Sequence, residues 1–67
     1  MHIVLNGEDY QVPEEIKTIA DLIAQLALVG KRIAVEYNRD IIPKSQHDST
    51  LINAGDVIEV IHAVGGG

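Results

Sequence analysis

The chain has 67 residues, the size of one small domain, and carries a net charge of −5 from ten acidic and five basic residues. Because phosphate backbones are bound by Lys and Arg, this charge argues against a nucleic-acid partner and favours a partner with a basic surface. The sequence contains no Cys, Phe or Trp. Aliphatic packing therefore has to stabilise the fold without disulfides or thiolate-bound metal.

The N-terminal sequence predicts a folded strand and not an export signal. Its first ten residues, MHIVLNGEDY, contain an apolar run of only three residues and no preceding positive region. No stretch of the chain approaches the roughly 20 apolar residues of a transmembrane helix. We therefore expect a cytoplasmic protein that does not bind membranes.

The first predicted element is a β-hairpin. Residues 2–6 and 10–12 are short strand-like runs, and Asn6-Gly7 between them is a strong turn signal. The spacing leaves the turn type open. Pro13 ends the second strand, because proline has no N–H to donate to a ladder.

A helix is predicted within residues 18–30. Its apolar residues follow the i, i+3, i+4, i+7 spacing of one helix face: Ile19, Leu22, Ile23 and Leu26. Thr18 and Asp21 have the spacing of a capping box at its start. Gly30 fits the position just after a helix end.

Further strands are predicted at residues 32–38, 41–42 and 57–62, with a polar loop or helical turn at 44–50. In the last strand Glu59 marks the solvent side. Ile58 and Val60 should therefore point inward, and Ile61 should lie on the face opposite to them.

This order of elements predicts an α+β domain, with one main helix packed on one face of a mixed sheet of 4–5 strands. If the last strand lies centrally and parallel to the first, the fold is the β-grasp, but spacing alone leaves that pairing open. The domain would cover residues 1–62. Residues 63–67 would form a flexible tail, since no apolar side chain follows Val64 to anchor it.

The polar residues do not form a recognisable catalytic or metal-binding set. None of the three histidines, at positions 2, 47 and 62, has a further ligand in a metal-site spacing, so ordinary surface histidines are favoured. The acidic pairs at positions 8–9 and 14–15 lie in predicted loops and indicate solvated charge. We expect no metal, no bound cofactor and no enzymatic activity of the chain itself.

The end of the chain, Gly65-Gly66-Gly67, offers a different chemistry. Residues without a Cβ can thread a narrow channel in a partner, and the carboxylate of Gly67 would be an unhindered acyl group. A partner enzyme could activate it with ATP as an acyl-adenylate, from which a sulfur or nitrogen nucleophile displaces AMP. Ile61 and Val64 are candidates for a docking surface. The alternative is that Ile61 packs under a loop and Val64 is frayed.

Four motifs make the whole chain resemble the sulfur carriers of thiamine biosynthesis, the ThiS family: IVLNG, TIADLI, AVEYNRDIIP followed by SQH, and GDVIEVIHAVGGG. The resemblance implies a β-grasp fold and adenylation of Gly67 by an E1-like enzyme that uses ATP. It also implies a thiocarboxylate whose sulfur comes from a donor such as a cysteine desulfurase. The carrier would then dock on thiazole synthase and donate that sulfur to the thiazole ring.

Three alternatives stay open. Molybdopterin-synthase small subunits share the fold and the glycine tail, but tend to end in a PPVAGG-like sequence that is absent here. A ubiquitin-like modifier would use the same adenylate to form an isopeptide bond, so sequence cannot separate it from a carrier. An interaction module would have an inert tail.

Overall fold

The fold is a five-stranded mixed sheet with one helix on one face, in a computed structural model that describes residues 1–62. The strands are β1 (His2–Leu5), β2 (Glu8–Gln11), β3 (Ile33–Tyr37), β4 (Asp40–Ile42) and β5 (Val57–His62). The helix α1 spans Ile19–Gln25, and a 3-10 turn, Lys44–Gln46, follows β4.

The sheet order is β2-β1-β5-β3-β4, so the last strand lies in the centre. β5 runs parallel to β1, with Val4 opposite Val57, and antiparallel to β3, with Val35 opposite Val60. This is the pairing that the sequence left open. It confirms the predicted α+β class and the β-grasp arrangement.

The core lies between α1 and the inner face of the sheet. Its most deeply buried side chains are all aliphatic: Ile3, Val12, Ile19, Leu22, Val35 and Ile58. Ile58 and Val60 point inward, as predicted from the position of Glu59. Within residues 1–62 no polar or charged residue is buried, so removal of aliphatic surface from water is the main stabilising contribution.

The first hairpin closes with a two-residue turn, Asn6-Gly7, whose φ angles of 51° and 81° are those of a type I′ turn. Because the turn is so short, β2 begins at Glu8. The prediction of residues 10–12 for this strand is therefore shifted, and Val12 lies just past the end of β2, although it is buried.

Helix α1 begins with the predicted capping box. The Thr18 Oγ1 accepts a hydrogen bond from the Asp21 N–H at 3.1 Å, and an Asp21 carboxylate oxygen accepts one from the Thr18 N–H at 3.1 Å. The same oxygen accepts a bond from the Lys17 N–H at 3.0 Å. The bond from Lys17, followed by that from Thr18, lowers the pKa of the Asp21 carboxyl below its ordinary value.

The helix ends at Gln25, so the prediction that Gly30 follows its end is wrong. Ala27, with a φ of 60°, takes the left-handed position after the helix. The Leu28 N–H donates to the Ile23 carbonyl at 3.0 Å, which is the closing bond of a Schellman motif. Leu28 packs against the core, so the chain turns back one helical turn earlier than the glycine suggested.

Asparagine side chains from both hairpin turns hold the central strand. The Asn6 Oδ1 accepts a hydrogen bond from the Val60 N–H at 2.8 Å. Asn38, in the turn between β3 and β4, likewise accepts one from the Val57 N–H at 2.8 Å. Both asparagines have a φ of 51°. Asparagine thus meets two requirements here, a positive φ and a side-chain acceptor for β5.

We expect Asn6→Gly to lower the free energy of unfolding by about 1 kcal/mol, because glycine keeps the turn conformation but removes the acceptor for the Val60 N–H. Asn6→Asp is the matched control, since aspartate also tolerates this turn position and retains an Oδ acceptor. Urea unfolding of the three proteins measures the difference. If the free energy of unfolding fell as much in the aspartate variant as in the glycine variant, this role for the Asn6 side chain would be contradicted.

Candidate functional site

The site predicted from the sequence lies at the end of the chain. Val64, Gly65, Gly66 and Gly67 are outside the described residues, as is the predicted tail as a whole, so these assignments stay predictions. The described part ends at His62, the last residue of β5. The structure therefore gives the surface and the strand that lead to the predicted site.

Ile61, the fifth candidate residue, lies on the outer face of the sheet, opposite α1. It is 52% exposed and does not pack under a loop. Its partner across the ladder is Ala34 in β3, which is also exposed. The position suits a docking residue, and that role stays a prediction.

Further exposed aliphatic residues lie on the same face of the sheet. We call the set Val4, Ile41, Val57 and Ile61 the outer apolar residues; each is at least 36% exposed. Val4 and Val57 are directly opposite each other in the ladder between β1 and β5. The sequence analysis singled out only Ile61, although the alternation of β1 with buried Ile3 and Leu5 already places Val4 outward.

Two carboxylates lie among the outer apolar residues. Glu36 in β3 and Glu59 in β5 are directly opposite each other, and Glu59 separates Val57 from Ile61 along the strand. No salt bridge within residues 1–62 involves either glutamate. Like charges in this arrangement repel each other. A basic group supplied by a partner would relieve the repulsion, in keeping with the negative net charge.

The three histidines do not come together. The His2 Nδ1 lies 3.0 Å from a carboxylate oxygen of Asp9 on the outer face, and both side chains are largely exposed. The His47 Nε2 lies 3.2 Å from the Ile42 carbonyl oxygen, and His62 is exposed at the end of β5. Residues 1–62 contain no group of three or more side chains that could hold a metal ion.

A polar cluster lies where β5 begins, at the end of the strand far from residue 63. The Tyr37 hydroxyl donates to the Leu51 carbonyl at 2.9 Å, and Asp56 accepts a bond from the Asn53 N–H at 2.7 Å. Burial, together with the negative charge of Asp56, raises the pKa of Tyr37. The phenol therefore stays protonated and donates its hydrogen bond. These contacts fix the loop before β5, and this cluster is structural.

A surface cavity of about 370 Å³ lies between α1 and the 3-10 turn, on the helix side of the sheet. Ile23 and Ile33 contribute to its apolar floor, and Ser45 and His47 also line it. A serine beside a histidine invites comparison with a nucleophile and its base. No hydrogen bond joins the two side chains within the described residues, since the His47 ring contacts the Ile42 carbonyl instead. This arrangement does not activate the serine.

No helix within residues 1–62 has the length and apolar character that a membrane span requires. The described domain offers an outer face with exposed aliphatic and acidic side chains, and β5 on this face runs to His62, the last described residue.

Comparison with known proteins gives concordant matches. The model of the ThiS family matches residues 3–67. The sulfur carrier protein ThiS of Bacillus subtilis (strain 168) is 41% identical over 63 residues, covering 94% of this chain and 96% of that protein. A thiazole synthase of Paramagnetospirillum magneticum is 34% identical over 67 residues, and this chain spans 20% of its length.

The fold has a solved counterpart. A crystal structure of the thiamine biosynthesis protein (ThiS) from Geobacter metallireducens matches with a TM-score of 0.83 and 25% identity, covering 100% of both chains. The match in fold thus extends over the same length as the match in sequence. With the family model covering nearly the whole sequence, the chain belongs to the ThiS family.

Proposed function

We propose that this chain is a sulfur carrier of thiamine biosynthesis, a cosubstrate on which partner enzymes act. The observation that carries the proposal is the match to the Bacillus subtilis sulfur carrier over 96% of that protein's length. The order of the chain supports it, because three glycines at positions 65–67 follow shortly after the central strand β5 in the sequence.

The proposed chemistry takes place on the carboxylate of Gly67. An E1-like adenylating enzyme transfers AMP from ATP to this carboxylate and releases pyrophosphate. A sulfur nucleophile then attacks the acyl carbon and displaces AMP. Sulfide gives the thiocarboxylate directly; with a persulfide donor such as a cysteine desulfurase, the attack forms an acyl disulfide, which a thiol then reduces to release the thiocarboxylate. ATP is bound by the activating enzyme, and the carrier itself needs no bound cofactor.

The carrier contributes two things to this reaction: a surface that binds the partner, and a C-terminal segment long enough to enter the partner's active site. Ile61 lies one residue before the end of β5, so a partner that binds it is already close to the chain end. Five residues follow His62. Fully extended, such a segment spans at most about 17 Å. A partner active site within that distance of the docking surface could receive the carboxylate of Gly67.

Thiazole synthase is the proposed acceptor of the sulfur. The thiazole synthase of Paramagnetospirillum magneticum contains a segment similar to this entire chain, and so does the thiazole synthase of Magnetococcus marinus, at 33% identity. A polypeptide that combines both units keeps a carrier at high effective concentration beside its acceptor. We infer that this chain acts with the same partner.

We expect intact-mass spectrometry to detect the loaded carrier. After incubation with the adenylating enzyme, ATP and sulfide, the mass should increase by the exchange of one oxygen for sulfur. A chain lacking Gly67 is the matched control and should stay unchanged, since the acyl group is then displaced by one residue. If the enzyme converts a control carrier but not this chain, the proposal is wrong. An isopeptide adduct on a lysine would instead indicate a protein modifier.

We expect Ile61→Asp to weaken binding to the adenylating enzyme by about tenfold or more, because it places a charge among apolar residues that the partner would desolvate. Val29→Asp makes the same change in charge at a residue that is 71% exposed outside the sheet, and its affinity should match that of the unchanged chain. Calorimetric titration gives the affinities, and thermal unfolding verifies that both variants are folded. If both variants lost affinity for the adenylating enzyme to the same extent, a specific role for Ile61 would be excluded.

A further inference from the structure

The two edges of β5 differ near the end of the strand. On one edge, pairing with β3 continues to the last residue, where Ile33 is opposite His62. On the other edge, pairing with β1 covers only Val4 with Val57 and Leu5 with Ile58. β1 ends there, because the turn that follows leads to β2 on its far side.

Backbone groups at the end of β5 point to the β1 side of the strand, beyond the residue at which β1 ends. The Val60 N–H points to this edge, as its bond to the Asn6 side chain shows. Hydrogen-bonding groups return to the same edge of a strand at every second residue, so the N–H and C=O of His62 point there as well. Within residues 1–62, neither the Val60 C=O nor the His62 N–H bonds to another group.

Within residues 1–62, nothing hydrogen-bonds to this edge of β5 beyond Asn6. Asn6 makes both of its hydrogen bonds to β5 on this side, through its N–H to the Ile58 carbonyl at 3.0 Å and through its side chain to the Val60 N–H. A Cβ added to Gly7 would meet nothing within 4 Å, and His62 is exposed. An extended segment could therefore occupy the position that β1 would take if it were longer.

We propose that the edge of β5 from Val60 to His62 is a pairing site for an extended backbone segment of the adenylating enzyme. The inference rests on the proposed function, under which Gly67 has to enter that enzyme's active site. The enzyme must then lie against the end of β5. Unpaired strand edges are templates for such additions, and main-chain bonds would supply the affinity.

Pairing of this kind would also set the direction in which the chain leaves the domain. The groups of Ile61 point to β3, and those of His62 would bond to the added segment, so β5 would be held on both edges at its end; pairing with β3 alone holds one edge only. The added segment would place a side chain beside Ile61 on the outer face. An apolar side chain fits there, next to the outer apolar residues.

His62→Pro tests the pairing site. Proline removes the N–H that points away from β3, so the ladder inside the domain is kept, as for prolines on edge strands. His62→Ala removes the imidazole but keeps the N–H. We expect the proline variant to bind the adenylating enzyme about tenfold or more weaker than the alanine variant, because the bond to the partner is lost.

Gln11→Pro is the control for proline itself. The Val12 N–H bonds to the Met1 carbonyl, so by alternation the Gln11 N–H points to the free edge of β2. This variant should bind like the unchanged chain. Thermal unfolding establishes that each variant is folded. If His62→Pro is not folded, a semisynthetic chain with an ester in place of the Ile61–His62 amide removes the same N–H and decides the question.

Equal affinity of the proline and alanine variants, or an ester chain that binds as tightly as the amide chain, would overturn the pairing site. The experiments distinguish failure of the pairing site from failure of the proposed function. If the unchanged chain is never converted to a thiocarboxylate, the proposed function fails and the inference fails with it. If the unchanged chain is converted and the proline and alanine variants bind equally, only the pairing site is wrong.

Discussion

Strand β5 is hydrogen-bonded on both sides at its start, and its inward residue Ile58 is fully buried against the core. The other elements depend on this central position. β1 and β3 pair with it directly, and asparagines in the two hairpin turns bond to its N–H groups where strand pairing ends. The strand that precedes residue 63 in the sequence is therefore anchored in the centre of the sheet.

The outer face around β5 combines apolar and acidic side chains. The outer apolar residues are exposed, and Glu36 and Glu59 face each other between them without a described cation to compensate them. Neither feature stabilises the free domain. Both would be satisfied by one partner surface that brings apolar groups and a basic side chain. Under the proposed function the partner has to be released after each reaction, and a surface of modest affinity allows fast dissociation.

Local rules in the sequence were sufficient for much of the fold. The capping box at Thr18 and Asp21 marked the start of the helix, and Glu59 marked the faces of β5. The end of the helix was missed because Ala27 occupies a left-handed position that glycine normally takes. The packing of Leu28 against the core outweighs the preference for glycine at this position. The local sequence does not indicate this packing.

The candidate site depends on contacts between residues far apart in sequence, and these were harder to predict. Glu36 and Glu59 are opposite each other because of the register between β3 and β5. The hydrogen bond from Val60 to Asn6 joins residues that lie far apart in the sequence. Asn6 was recognised as a turn residue only. Its second role, as the acceptor that ends the pairing of β5 on one edge, appears only once β5 is known to be central.

Transfer of labelled sulfur from the carrier to the thiazole tests the central claim most directly. The chain would be loaded as a thiocarboxylate with isotopically labelled sulfur and mixed with thiazole synthase and its other substrates in a single turnover. The account predicts that the label moves into the thiazole, one atom for each carrier consumed, while the carrier returns to its carboxylate form. Formation of unlabelled thiazole while the carrier keeps its labelled sulfur would contradict the account.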